Sequence, residues 1–165
     1  MPNITGIFGI SMKPKFVDYY MNIAKEAAKL SYAKRLQVGA VIVTPSNVVL
    51  TGYNGMPTDW ENVCENEIVD HSSYEGAMYT TKLVTKPEVL HAEMNAVMKV
   101  AQSTESSKDA TLFCTHAPCM DCAKAIYQAG ITTLYYKDTY RDDSGLKFLV
   151  KSGINVHQYS ERTQS

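Results

Sequence analysis

His91-Ala92-Glu93-Met94-Asn95-Ala96 and, some two dozen residues later, Pro118-Cys119-Met120-Asp121-Cys122 are the stretches around which this chain is organised. One imidazole and two thiols are the ligand set that suits Zn²⁺, which in a catalytic site takes three protein ligands and leaves its fourth tetrahedral position for water. Two thiolates and a neutral imidazole balance the charge of the ion. Pro118 suits the opening of a helix, where a missing N–H is no loss, and Cys119 and Cys122, three apart, then share one face of its first turn. His91 heads a second apolar-periodic run (Ala92, Met94, Ala96, Val97, Val100), so two helix starts are expected to converge on one ion. The positive ends of their dipoles favour thiolate over thiol. Glu93, two residues past His91, points off the ligand direction yet stays close to the metal's water, where a carboxylate can accept a proton and pass it on. The alternatives are a structural zinc site and the reduced C-x-x-C of a redox protein. A structural site is normally closed by a fourth Cys or His, and no suitably placed one is evident.

Working outward, 165 residues suffice for one domain with a full core and are too few for two comfortable ones. Sixteen basic against seventeen acidic residues argue against a surface made to track a polynucleotide backbone, and small diffusible substrates fit better. With two of four cysteines claimed by the motif, Cys64 and Cys114 make a poor disulfide framework, which points to a reducing, cytoplasmic setting. The apolar run 4–12 lacks a basic flank and is far short of a membrane span. It reads as an N-terminal extension (residues 1–14) that packs on the domain or on a neighbouring subunit.

In chain order, residues 16–30 carry Val17, Tyr20, Met21, Ala24, Ala27 and Ala28 at helical spacing, with Pro14 at the entry. Residues 38–43 are a β-branched run, Pro45-Ser46-Asn47 a turn and 48–53 a second strand, which together predict a hairpin. Residues 54–90 read as a long insertion or loop region, the least regular part of the chain. The Glu93 helix follows, then a strand over 110–114, a helix over 119–129 closed by Gly130, a strand over 131–137, a short helix over 145–152 and a last strand over 154–159. A strand, helix, strand unit of that length implies a parallel pair. The expected fold is α/β: a mixed five-stranded sheet with helices on both faces, the metal lying where two helix N-termini meet the carboxyl ends of strands.

H-x-E followed by P-C-x-x-C is the mark of the zinc-dependent nucleobase deaminases. Over residues 16–156 the chain resembles the deoxycytidylate (dCMP) deaminases within the cytidine/deoxycytidylate deaminase family. The resemblance rests on 37–43 (Gln-Val-Gly-Ala-Val-Ile-Val), 52–57 (Gly-Tyr-Asn-Gly-Met-Pro), 91–96 and 118–124. The 52–57 segment discriminates, because tRNA adenosine deaminases reach the His-Ala-Glu helix after a short connection. The family fold is the three-layer α-β-α, cytidine-deaminase-like one.

The resemblance implies Zn²⁺ held by His91, Cys119 and Cys122, and hydrolysis of dCMP to dUMP and ammonia upstream of thymidylate synthesis. Glu93 would protonate N3 and then the departing amino group. It further implies that Asn54 contacts the sugar, that the Ala92 backbone holds the base, and that Arg35 and Tyr140 lie near the phosphate. A solvated Arg or an ordinary loop is the alternative at the last two. Such enzymes are typically homohexamers activated by dCTP and inhibited by dTTP. An effector with its Mg²⁺ is then expected at Gly52, Tyr53, Asn54, Gly55 and Met56, the glycines freeing backbone N–H groups for phosphate. The rival functions are deamination of another nucleotide (dCTP, or adenosine in tRNA) and a catalytically inactive zinc- or nucleotide-binding module.

His116 departs from the family, which usually has an apolar residue there. It reads as a partly exposed loop residue, with a substrate contact or a group supporting the metal as the alternatives. Some phage-type relatives hold a second zinc in the insertion, for which only Cys64 and His71 offer themselves here. His157 is expected in or beside the last strand without a chemical role.

Overall fold

The strand Gly39–Val43 (β1) is buried along its whole length because helices cover both faces of the sheet it belongs to. Alternate side chains enter different cores. Ala40 and Ile42 join one cluster, while Val41 and Val43 join another with Tyr20, Met21, Ala24 and Phe113. A strand packed on both sides reads as a continuous apolar run instead of an alternating one. The computed structural model describes residues 11–70 and 80–162. The N-terminal run up to residue 10, and His71, lie outside the described residues.

The elements are α1 (Pro14–Ala28), β1, β2 (Val49–Tyr53), β3 (Glu65–Asp70), β4 (Thr80–Thr85), α2 (Ala92–Ala101), β5 (Thr111–His116), α3 (Met120–Gln128), β6 (Thr133–Asp138), α4 (Ser144–Lys151) and β7 (Asn155–Gln158). The main sheet runs β2-β1-β5-β6-β7, antiparallel at its first two pairings and parallel at its last two. It is the mixed five-stranded sheet expected. Helix α1 packs on β1, β2 and β5 from one side. On the other side α2, α3 and α4 contribute Ala92, Ala96, Val97, Ala123, Ile126 and Leu149 to the larger core. The layers are therefore helix, sheet, helix. Pro14 opens α1, as its fixed φ and missing N–H allow, and the buried stripe Tyr20, Met21, Ala24, Ala27 and Ala28 follows the 3.6-residue period.

Residues 54–90 are more regular than their composition indicates. Strands β3 and β4 form an antiparallel two-stranded sheet of their own, in register from Glu65 opposite Thr85 to Asp70 opposite Thr80. Neither strand shows apolar alternation, and Ile68 and Val69 are exposed, so the pattern that marks a half-buried strand is missing. The excursion is pinned at its base. Gly55 and Leu90 exchange backbone hydrogen bonds of 3.1 and 2.8 Å, and Ala33, Cys64 and Val89 make a small core over its root.

At Gly52 a Cβ would strike the Ala92 carbonyl oxygen and lie 2.7 Å from the Ala96 nitrogen. Strand β2 and helix α2 can therefore approach each other only with glycine there. Asn95 Nδ2 and Lys99 Nζ donate from α2 to the carbonyls of Tyr53 and Thr51, both at 2.7 Å, and fix the helix along the strand. Gly52→Ala is expected to lower the unfolding free energy by about 1–3 kcal/mol through overpacking, read as a lower urea midpoint. An unchanged midpoint would mean that α2 yields without cost.

Candidate metal centre and active site

His91 and Cys119 are the N-cap residues of α2 and α3, and neither uses its side chain to cap its helix. Both side chains turn instead toward a common point that Cys122, one turn into α3, also faces. The His91 Nδ1 atom lies 3.6 Å from Cys119 Sγ and 3.4 Å from Cys122 Sγ. Zn–S bonds of about 2.3 Å and Zn–N bonds of about 2.0 Å at the tetrahedral angle require N···S edges of about 3.5 Å. The trio therefore has the dimensions of a zinc site. Among the described residues it is the group of metal-binding side chains close enough to hold one ion.

The local charges favour the same species. Cys119 is held down at about 4, first by the hydrogen bond from the Cys122 thiol and then by the His91 ring. Cys122 is pushed up by that same hydrogen bond and by burial. One proton is thus shared unequally between the two sulfurs, and a divalent cation bound there would displace it. The Cys119 hydrogen bond also raises His91, against the effect of burial. Residue 145, in the first turn of α4, must be glycine for this corner to close, since a Cβ would strike the Pro118 carbonyl oxygen and lie 2.9 Å from the Cys119 carbonyl carbon.

Glu93 lies in the first turn of α2 and is only 5 % exposed. Burial raises its carboxyl above the ordinary carboxylate range, with the charge of His91 acting in the opposite sense. The thiol of Cys114 hydrogen-bonds to it, and burial together with the Glu93 charge pushes that thiol well above its usual value. A carboxyl raised by burial holds a proton more readily than an exposed one. Cys114 is a site residue that the sequence reading assigned no chemistry. The available signal was strand geometry, because with Phe113 in the α1 core its neighbour on β5 must face α2.

His91, Ala92, Glu93 and Cys119 line a cleft whose other walls include Val38, Asn54, His116, Tyr140 and Arg35. Of the residues expected at a substrate, Asn54, Ala92, Arg35 and Tyr140 are thus brought together. Asn54 already works as a staple, its Oδ1 accepting the Val38 N–H and its Nδ2 donating to the Leu36 carbonyl, both at 2.8 Å. Arg35 is exposed, with Nη1 donating to Thr85 Oγ1 at 2.9 Å. His116 is the last residue of β5 and not a loop residue. Its side chain is 18 % exposed and lines the cleft, with Nδ1 3.0 Å from Thr115 Oγ1 and Nε2 3.8 Å from Asp138. Glu65 and Thr85, from the root of the β3-β4 hairpin, also line it and were not anticipated.

In the 52–56 segment several backbone donors already have partners within the chain. Gly52 is buried against α2. The N–H of Asn54 donates to Val38, that of Gly55 to Leu90, and that of Met56 to the Cys64 thiol. These glycines serve packing and a bridge, and those backbone donors are not free for a phosphate. Cys64 itself sits in the small core under the hairpin, its thiol raised by burial. His157 lies on β7 and stacks on Tyr135 at 4.9 Å. No described helix is long and apolar enough to cross a membrane.

Comparison with known proteins gives this geometry its context. Residues 14–138 match the model of the cytidine and deoxycytidylate deaminase zinc-binding region. The deoxycytidylate deaminase of Saccharomyces cerevisiae is 34 % identical over 150 residues, covering 90 % of this chain and 46 % of the relative, so the chain spans about half the length of that protein. The deoxycytidylate deaminase of Mus musculus is 35 % identical over 151 residues, 88 % of this chain and 80 % of the relative. The crystal structure of dCMP deaminase from the cyanophage S-TIM5 in complex with dCMP and dUMP aligns with a TM-score of 0.76 at 37 % identity, over 90 % of this chain and all of that one. Since the matched region runs from the first turn of α1 to the end of β6 and encloses the imidazole-thiol trio, the chain belongs to the cytidine and deoxycytidylate deaminase family.

Proposed function

We propose that this chain catalyses the hydrolytic deamination of dCMP to dUMP and ammonia, using Zn²⁺ held by His91, Cys119 and Cys122. The observation that supports the reading most is the pairing of a zinc-sized imidazole-thiol trio with the buried carboxyl of Glu93 at the end of a cleft. A binding module has no use for a carboxylate beside the metal. Zinc, when bound, makes a water molecule acidic enough to give up a proton near neutral pH.

The residues of the chain do the remainder. Glu93 accepts one proton from the attacking water and delivers it to N3 of the cytosine ring as oxygen adds at C4. It then takes the remaining proton from the hydroxyl now on C4 and passes it to the amino nitrogen, so that the C4–N bond breaks, ammonia leaves and the C4 carbonyl forms. Its burial raises the carboxyl and so makes it a better proton acceptor than an exposed carboxylate. Ala92, at the start of α2, offers backbone groups to the base, and Asn54 retains one donor and one lone pair for the sugar. Arg35 supplies a planar, permanently charged fork to the phosphate, with Tyr140 beside the same cleft. Regulation by dCTP and dTTP in a hexamer, implied by the resemblance, belongs to this reading. An effector near 53–56 would draw on side chains or a neighbouring subunit in place of the Asn54, Gly55 and Met56 N–H groups, which already have partners.

Ammonia release from dCMP, dCTP, deoxycytidine and a tRNA anticodon stem tests the assignment. Turnover of dCMP well above the others is expected, and activity on the tRNA alone would contradict it. Glu93→Gln should retain zinc and lose at least ~10²-fold in kcat, so near-normal turnover would remove Glu93 from the mechanism. Cys119→Ala should purify with little zinc and a lower melting temperature. Full metal content in that variant would refute the ligand set.

A further inference from the structure

Arg35 sits on a connection without regular structure, yet it is held at both ends by a single rung of the insertion hairpin. Glu65, the first residue of β3, is only 7 % exposed, and its Oε1 accepts the backbone N–H of Lys34 at 2.9 Å and of Arg35 at 3.1 Å. Thr85, the last residue of β4 and the register partner of Glu65, accepts from the Arg35 guanidinium at 2.9 Å. The rung is itself well anchored. Cys64 beside it is 1 % exposed and packs on Ala33 and Val89, and the Lys86 N–H donates to the Cys64 carbonyl at 2.9 Å. Arg35, Glu65 and Thr85 all line the cleft that ends at His91 and Glu93.

Immobilising a long side chain at the moment of binding costs about 0.5–1.5 kcal/mol of rotamer freedom, and a side chain already held avoids that cost. A buried carboxylate receiving two amide hydrogen bonds makes a stiff clamp for the backbone, and a hydroxyl on the facing strand can fix the head group. One guanidinium N–H goes to Thr85, and the rest of the fork remains available to the cleft.

We propose that Glu65 and Thr85 are positioning residues that hold the Arg35 guanidinium ready for the substrate's phosphate. The insertion hairpin is then the element that makes the site prefer a nucleotide over a nucleoside. The proposal rests on the reading of Arg35 as the phosphate ligand and deepens it.

The test compares steady-state kinetics on dCMP and deoxycytidine for the zinc-loaded full chain and four variants: Arg35→Ala, Thr85→Val, Thr85→Ser and the double variant Arg35→Ala/Thr85→Val. Arg35→Ala should abolish most of the preference for dCMP. Thr85→Val should cut that preference about fivefold, carried by KM for dCMP and not by kcat, the size expected for one hydrogen bond to a charged group at an exposed position. Thr85→Ser, which keeps the hydroxyl, should restore it, and Thr85→Val should change nothing further once Arg35 is gone. Equal losses on both substrates, or an undiminished Thr85→Val effect without Arg35, would overturn the positioning role. An Arg35→Ala variant that keeps its full preference for dCMP would overturn the phosphate reading instead, and the proposal with it.

Discussion

One geometric constraint governs the molecule: an imidazole nitrogen and two sulfurs must lie at three corners of a tetrahedron whose N···S edges are about 3.5 Å. A single helix supplies two of those corners, through residues three apart in the first turn of α3. The third comes from elsewhere in the chain and arrives at the N-terminus of α2. Most of the fold serves that meeting. The sheet places the end of β5 beside the start of α3, glycine at 52 lets α2 lie close on β2, and glycine at 145 lets α4 close over the Pro118-Cys119 turn. Cys119, drawn together there with Cys122 and His91, is made acidic first by the hydrogen bond from Cys122 and then by the His91 ring.

The two ends of the cleft follow different physical rules. At the metal end the proton-carrying groups are buried: Glu93 in the first turn of α2 and Cys114 on β5 beneath it are both raised chiefly by desolvation, while His91 stays exposed and Cys119 half-buried. At the other end Arg35, Tyr140 and Thr85 are exposed, and the Arg35 guanidinium takes its position from a hydrogen bond to Thr85. Chemistry that moves protons gains from a site shielded from water, whereas recognition of a charged, diffusing group gains from an open one with a preset cation. The β3-β4 hairpin stands at the open end as a separate two-stranded sheet, outside the five-stranded one.

Most of the five-stranded sheet was legible in the sequence because its strands are short apolar runs bounded by turns and its helices carry 3.6-residue stripes. The metal trio was legible because ligand chemistry restricts both residue type and spacing. The β3-β4 hairpin was not. Glu65, Asn66 and Glu67 at its start are polar, and pairing across a small two-stranded sheet leaves no hydrophobic signature. The roles of Gly52 and Gly55 were also hidden, since a glycine required for close packing and one free to meet a phosphate look the same in a sequence. Cys114 and Glu65 escaped because each acts through a partner distant in the chain, Glu93 in one case and the amides of Lys34 and Arg35 in the other. His116 became intelligible only when β5 proved long enough to carry it to the cleft.

The central claim is that the ion bound here keeps one coordination position open beside Glu93. Zinc K-edge X-ray absorption on the purified protein measures it directly. The account requires two sulfur neighbours at about 2.3 Å with one imidazole nitrogen and one light, exchangeable neighbour at about 2.0 Å. A shell of four protein ligands with no exchangeable neighbour would contradict it.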